Sequence, residues 1–473
     1  MPSEKSASST GTFRVGRVTV YARGKTYYLR YFENGKRLQV RGSSNKQAAR
    51  QLAAQVNAQL ETGVPAATSF EPISIDQLRQ RWLAYHEQVK QSSVSTVARY
   101  RTATLHLVQF VETQGNRLKM ASNLTPTMVE AFALWLRTIE VAPNGHQNTA
   151  KRKLMDKGVT FILETCRSLF SYAIKHRHLP PYHDNPFAAL AIDSMVIENA
   201  KPIVLLNLDQ ERRFLAACDE WEYPLFLTLM LTGMRPGEVT HLLLDDIDVG
   251  AGVIRVTNKA ELGWKIKTRS ERSMPLHPVL AEVLKELIGT RTTGPLFPQR
   301  RCASGFVPAL AGMAIMQLNR LATERAAVRQ PGSEASTASS RREVQRLRRS
   351  IWRDLASIDE DDVRIAFMRI GRRIGLENQT APKVLRHGFA TMLQDANVDP
   401  LIRNLLMGHS TASAGSSVVR PAGLGMTGVY THSREDTIRQ QLFHAIDVHG
   451  LVANQAGMPR RSLSTPTTGA ISA

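Results

Sequence analysis

The sequence predicts a multidomain chain, mainly α with small β elements: a three-stranded sheet plus helix, a helical middle block, and a mixed α+β third block. Three observations carry that prediction. At 473 residues the chain exceeds one ordinary domain. Two compositional breaks divide it, Gly63 to Pro72 and Lys201-Pro202. The hydrophobic pattern is β-like up to Arg41 and takes helical spacing after it. The expected divisions are 1–62, 73–192 and 203–449, with 450–473 a loose tail that carries no acidic residue.

The first block reads as strands at Val18 to Tyr21, Thr26 to Phe32 and Arg37 to Arg41, with Asn34-Gly35 as the hairpin turn between the last two. Ser44 and Gln47 make a capping box for a helix carrying Ala48, Leu52, Val56 and Leu60. The aromatic run Tyr27, Tyr28, Tyr31 and Phe32 is expected to form the core of this module rather than a stacking platform. In the second block, helices begin near Ser74, after Ser92, at Thr125-Pro126 and near Ala150, and Asn185-Pro186 closes the run. The third block contains a strand pair, Gly252 to Val256 and Glu271 to Leu276. Two of its segments look inserted: a flexible stretch, Gln330 to Ser340, leading into a basic helix, Arg341 to Arg353; and Thr411 to Gly425, rich in Gly, Ala and Ser.

Charge sets the partner class. Sixty-one Lys and Arg face 41 Asp and Glu, a net charge of +20 with pI near 10.2. Residues 1–62 alone hold eleven basic residues against Glu4, Glu33 and Glu61. Such an excess points to a polyanion, with nucleic acid first. No apolar run approaches the length of a membrane span, and no apolar leader opens the chain. Cys166, Cys218 and Cys302 have neither the parity of a disulfide set nor metal-ligand spacing, which fits a reducing cytoplasm. No Walker loop and no acidic pair of metal-binding spacing are present, so no cofactor is implied.

Four segments of the third block carry the chemistry: Thr232-Gly233-Met234-Arg235-Pro236-Gly237-Glu238; Lys267 through Pro275-Leu276; Lys383-Val384-Leu385-Arg386-His387-Gly388-Phe389-Ala390-Thr391; and Met407-Gly408-His409-Ser410, with Val429-Tyr430-Thr431-His432 downstream. Breaking a phosphodiester without metal needs a nucleophile, cationic donors around the phosphate and an acid for the leaving oxygen. A tyrosine can be held as a covalent ester, paired guanidinium donors suit phosphate oxygens, and a lysine can deliver a proton. Glu238, one helical turn from Arg235, can hold its guanidinium.

Together these segments resemble the tyrosine recombinase (phage integrase) family over roughly residues 73 to 448. The resemblance implies a helical core-binding (SAM-like) domain followed by a catalytic domain, with an arm-type DNA-binding module ahead of them. It gives Tyr430 the role of nucleophile, Arg235 and Arg386 those of phosphate-binding arginines, and His409 that of a donor to the scissile phosphate. Lys267 becomes the acid for the leaving 5′-oxygen, with Lys259 and Lys265 as nearby rivals. Lys383 stands where the family more often has His, which points to a phosphate or tyrosinate contact, and His387 is read as structural. About a dozen extra residues, Thr411 to Leu424, separate His409 from Tyr430, and delivery of the tyrosine in cis or in trans stays open.

The implied activity is metal- and ATP-independent, site-specific DNA recombination through a 3′-phosphotyrosyl link and a Holliday junction, integrating or excising a mobile element. The implied partners are double-stranded attachment-site DNA, a homo-tetramer on that DNA, docked through the helix Arg434 to Val448, and accessory DNA-bending or excision factors. The implied place is the cytoplasm, at the nucleoid. Arg23, Lys25, Arg30 and Arg37 of the sheet, and Lys90, Arg99, Arg101, Lys151 and Arg152 of the middle block, are the candidate DNA contacts. The alternatives are a non-catalytic DNA-binding regulator on the same fold and a type IB topoisomerase-like strand transferase.

Overall fold

A computed structural model gives the fold. It describes residues 11–33, 35–63, 66, 70–115, 119–142, 145–146, 148–180, 183–198, 204–327, 337–409 and 434–452, with backbone alone for 337–340. The chain forms two compact units, Met1–Lys201 and Pro202–Ala473. No helix among the described residues is long and apolar enough to cross a membrane.

The first unit opens with an antiparallel meander of four strands, β1 (Phe13–Val15), β2 (Val18–Arg23), β3 (Thr26–Glu33) and β4 (Lys36–Arg41). The sequence led us to expect three. The extra strand is a three-residue edge, too short for alternation to announce, turned back through Gly16 at φ +54° so that Phe13 pairs with Val20. Side chains alternate along a strand, so Val18, Val20, Leu29 and Tyr31 all face α1 (Lys46–Glu61) and bury against Ala49, Ala53 and Val56. That period also splits the aromatic run. Tyr31 is buried and Tyr27 packs beside it, whereas Phe32 is 67% exposed, so the run is not one core as expected. The cap of α1 is Asn45 rather than Ser44: its Oδ1 accepts the N–H groups of Gln47 (2.7 Å) and Ala48 (3.3 Å).

The middle of this unit is helical: α2 (Ile75–Ala84), continued by a π-helical turn over Tyr85–Val89, then α3 (Val94–Thr113), α4 (Pro126–Thr138) and α5 (Asp156–Lys175). Ser74 with Gln77, Ser93, and Thr125 ahead of Pro126 cap the first, second and third. Their apolar stripes meet around Leu78, Trp82, Leu107, Phe110, Phe132, Leu163 and Phe170. The fourth helix starts later than expected. Arg152–Lys153 (β6) pairs instead with Glu140–Val141 (β5), and α5 begins at Asp156. Asn185 ends the block by donating to Arg167 O (2.8 Å) and Ser171 Oγ (3.0 Å) from the same amide.

The second unit contains α6 (Leu208–Ala216), α7 (Glu222–Thr232), α8 (Pro236–Val239), a sheet of β7 (Ile247–Asp248), β8 (Val253–Val256) and β9 (Arg272–Pro275), and α9 (Pro278–Ile288). Then come α10 (Arg300–Ala303), α11 (Ile315–Ala327), α12 (Thr337–Asp354), α13 (Glu360–Arg373), α14 (Lys383–Asp395), α15 (Pro400–Met407) and α16 (Glu435–His449). The expected strand pair is β8 with β9, and β7 is a short addition on the far side of β8. Helix α7 is buried almost all round, and Phe214, Phe226, Phe367 and Phe389 centre the core about it. The basic segment Arg341 to Arg353 is helical within α12, which already begins at Thr337, inside the stretch expected to be flexible. The segment Thr411 to Gly425 and residues 453–473 of the expected tail lie outside the described residues.

Candidate active site

Helix α7 stops at Gly233, whose φ of +57° is left-handed backbone that glycine adopts without penalty. Space requires glycine as well, since a Cβ there would lie 2.2 Å from the Phe389 ring. Two residues later Arg235, in extended backbone, leads into Pro236 and the single turn of α8. Glu238 turns back from that turn. Its carboxylate accepts the Arg235 backbone N–H (3.1 Å) and Arg235 Nη1 (2.7 Å), as the spacing had suggested.

The same carboxylate accepts a third bond, from Nη2 of Arg272 at 2.7 Å. Arg272 was not anticipated. It is the first residue of β9, on the same side of the strand as the buried Met274, and its side chain is only 6% exposed. An arginine at an inward strand position is the signal that could have found it, because a buried guanidinium requires a partner. Its Nε donates to Leu406 O at 3.1 Å.

Arg386 lies one turn into α14, on the face that buries Leu385 and Phe389, and is 6% exposed. Its guanidinium donates to Gly233 O (2.7 Å) and to Met407 O. Thr268, in the loop ahead of β9, donates its hydroxyl to Gly408 O (3.1 Å). Arg272, Arg386 and Thr268 therefore satisfy three successive carbonyls, 406 to 408, at the open end of α15. Gly408 closes that helix at φ +58°, and a Cβ there would stand 2.7 Å from Arg272 Nη1. His409 follows at once, exposed, its N–H on Asn404 O (3.1 Å).

The structure thus brings Arg235, Arg386 and His409 to one place and adds Arg272. The electrostatics agree with the geometry. Burial pushes Arg386 down to about 10, and the charge of Arg235 pushes the same way. His409 is lowered by partial burial and then by the charges of Arg386, Arg235 and Arg272. Burial works to raise Glu238, but the bonds from Arg272 and Arg235 prevail and hold the carboxyl below its ordinary range. One carboxylate among three guanidinium groups leaves a site suited to an anion.

Lys267 is exposed, next to Thr268 and hence beside the tether to Gly408. Of its rivals, Lys259 is buried in an ion pair with Asp246 (2.9 Å), and Lys265 is exposed. Lys383, the exposed first residue of α14, lies one turn before Arg386; its charge, after burial and ahead of that of Arg386, lowers His387. Tyr430 lies outside the described residues, as does everything from 410 to 433.

The expected DNA contacts fall into two groups. Strand register places Arg23, Arg30 and Arg37 on the face of the N-terminal sheet turned away from α1, beside Arg41, Tyr21, Tyr28 and Phe32. Tyr21 stacks on Tyr28 there, ring centroids 5.9 Å apart. Lys25 is exposed in the turn between β2 and β3. Arg41 and the aromatic residues of this face were not singled out as contacts, because only the register reveals the shared surface. In the middle block, Arg99 lies over the Phe161 ring (4.2 Å) and Arg101 is paired with Glu87 (2.9 Å). Lys151 and Arg152 are exposed at β6 rather than on the helix expected to carry them.

Comparison with known proteins follows the same residues. Residues 205–418 match the model of the phage integrase family. The tyrosine recombinase XerD of Pasteurella multocida (strain Pm70) is 21% identical over 360 residues, covering 74% of this chain and 91% of that protein. XerD of Staphylococcus aureus (strain Mu50 / ATCC 700699) is 23% identical over 290 residues, 60% of this chain and 74% of its own. Among solved structures, the Tn1549 transposon integrase in complex with a circular intermediate DNA covers 78% of this chain and 98% of that chain at 18% identity, with a TM-score of 0.47. A lambda integrase dimer bound to a COC′ core site covers 82% and 91% at 15% identity, with a TM-score of 0.45. Residues 205–418, the stretch that holds Arg235, Arg386 and His409, are thus similar to the phage integrase family, and the relatives matched over a longer span are tyrosine recombinases.

Proposed function

We propose that the protein is a site-specific DNA recombinase that integrates or excises a mobile element by tyrosine-mediated strand exchange. The observation that carries this reading is the convergence of Arg235, Arg386 and His409 on one cationic site, built on Glu238 and Arg272. In it, Arg235 and Arg386 hold the non-bridging oxygens of one phosphate and His409 donates a further N–H. Tyr430 Oη forms a bond to phosphorus while the bond to O5′ breaks and its electron pair leaves with that oxygen. The ammonium of Lys267 gives O5′ its proton, and the phenol proton passes to water. The product is a 3′-phosphotyrosyl link and a free 5′-hydroxyl, and the hydroxyl of a partner duplex reverses the step on the new strand. Two rounds pass through a Holliday junction, with four copies of the chain on two sites and α16 docking on the next copy. Lys383 touches the phosphate or the attacking tyrosinate.

The N-terminal sheet is the arm-type module, reading DNA with the face that carries Arg23, Arg30, Arg37 and the turn residue Lys25. Residues 73–192 and 203–449 are the core-binding and catalytic domains, with Arg99, Arg101, Lys151 and Arg152 as further backbone contacts. An open face of arginine, tyrosine and phenylalanine on a module of its own supports a mobile-element role, since it can hold a second DNA segment.

The test is in vitro recombination between two attachment-site plasmids without added metal. Arg235→Ala and Arg386→Ala are expected to bind the duplex yet lose on the order of 100-fold or more in strand exchange, the usual cost of removing a preorganised donor to a developing charge. Binding with full exchange in both variants would refute the assignment.

A further inference from the structure

The basic helix read as part of an inserted segment, Arg341 to Arg353 within α12, has a definite place in the fold. Helices α11 and α12 pack on each other, and Leu318, Ala322, Ile351, Trp352 and Leu355 form a small core separate from the main one. Leu262 joins that core from outside the segment and is fully buried in it. Leu262 sits at the tip of the hairpin that leads from β8 to β9. Lys259 and Trp264 close the tip with paired backbone bonds of 3.1 Å each way, around Gly263 at φ +74°.

Side chains of α12 bind the carbonyls of this tip. Trp352 Nε1 donates to Leu262 O (3.0 Å), Arg348 Nη1 to Ala260 O (3.3 Å), and Gln345 Nε2 and Arg349 Nε to Gly263 O (3.5 Å each). Behind the tip, His241 stacks on Trp264 (4.8 Å) and meets the edge of Trp352 (4.6 Å), while its Nδ1 bonds Gly237 O (2.7 Å) in α8. Three residues past Trp264 comes Lys267, itself exposed, between Thr268 and the buried Ile266.

We propose that the α11–α12 pair, through the basic helix α12, positions Lys267, with Trp352 as the positioning residue that fixes the hairpin tip. The inference rests on the reading of Lys267 as the acid for the leaving oxygen. The base of the hairpin is held on either side of Lys267, by Thr268 on Gly408 and by Ile266, which is buried in the main core with its N–H on Asn258 Oδ1 (2.9 Å); the bonds of α12 hold the far tip as well and so block rotation of the hairpin about that base. An acid displaced by about 1 Å from the leaving oxygen costs on the order of 100-fold, and a general acid as a whole contributes about 100- to 10,000-fold.

The experiment compares cleavage of an ordinary duplex with that of one carrying sulfur in place of the bridging 5′-oxygen at the scissile phosphate. A thiolate leaves without a proton, so the sulfur duplex removes the need for the acid and for nothing else. Lys267→Ala is expected to be slow on oxygen and restored on sulfur, and Arg386→Ala slow on both. Trp352→Ala is expected to follow Lys267→Ala, about 100-fold slower on oxygen and near wild type on sulfur. The double variant Trp352→Phe with Arg348→Met keeps the packing and removes two donors to the tip; it is expected to show the same pattern at about tenfold. Should Trp352→Ala fail to fold, that double variant decides. If Lys267→Ala is not restored by sulfur, the reading of Lys267 fails and the proposal falls with it. If Lys267→Ala is restored but the α12 variants are equally fast or equally slow on both duplexes, Lys267 keeps its role and the positioning proposal alone is overturned.

Discussion

Glu238 offers the sharpest test of how the anion site is built. Its carboxylate, 3% exposed, takes three hydrogen bonds, two from Arg235 and one from the nearly buried Arg272. In Glu238→Gln the shape is kept, but the charge is lost and an NH2 group must face one of the guanidinium groups. Removing one partner of a buried, hydrogen-bonded ion pair costs about 3–5 kcal/mol, because the remaining charge stays buried without compensation. Arg235 is partly open to water, so most of that cost falls on Arg272, and about 3 kcal/mol is expected. The chain has two units, so a single unfolding midpoint is not a clean measure. Hydrogen exchange read by mass spectrometry on peptides over α8 and β9 reports the local opening free energy instead. Removing both charges, Glu238→Leu with Arg272→Met, should cost clearly less than the two single changes added, since no orphaned charge remains. A loss below about 1 kcal/mol in Glu238→Gln, the range of an exposed pair, would refute the reasoning; so would simple additivity in the double variant.

Four further outcomes follow from the same structure. Gly233→Ala puts a Cβ at positive φ and against Phe389, so it should cost at least about 1–3 kcal/mol by the same exchange measurement and slow any reaction that needs Arg386. Burial lowers His241 to about 4 from an unfolded value near 6.5. The unfolded chain therefore binds this proton first: the His241 contribution is whole above about pH 6.5 and is lost as pH falls toward 4, about 3 kcal/mol in all, and His241→Phe should flatten that limb of a stability–pH curve. His409, lowered by burial and then by Arg386, should titrate below the free-histidine value of about 6.5 in an NMR titration and move upward in Arg386→Gln; a value above 6.5 in the DNA-free protein contradicts the electrostatic picture. Removing Arg23, Arg30 and Arg37 together should lower the salt slope of arm-site binding by up to about 3, near 0.9 for each phosphate no longer neutralised, and leave core-site binding unchanged in a filter assay.

How much of this was legible in the sequence depends on the range of the interactions involved. Local rules sufficed for Thr125-Pro126 at the head of α4 and for Glu238 beneath Arg235, because cap and partner lie within one turn. They failed where a neighbour in the chain competes, as when Asn45 rather than Ser44 took the cap of α1. Edge strand β1 was missed because three residues carry no period, and the aromatic run was misread because adjacency in a strand means opposite faces. At the site, the motif residues could be named, but Arg272 could not. Its partners, Glu238 and the carbonyl of Leu406, are 34 and 134 positions away. The place of the basic helix was equally hidden, for it is fixed by carbonyls of a hairpin tip some 85 to 90 residues earlier.

The central claim is that the site of Arg235, Arg386 and His409 serves attack by Tyr430 on a DNA phosphate. The most direct test is covalent trapping. The protein is incubated without metal with a nicked duplex of a candidate attachment site, so that the short 5′-hydroxyl fragment diffuses away after cleavage, and the product is run on a denaturing gel. The account predicts a DNA-shifted protein band, absent in Tyr430→Phe, with the DNA mapped to the Tyr430 peptide by mass spectrometry. Specific binding of that duplex with no adduct, or an adduct that persists in Tyr430→Phe, would contradict it.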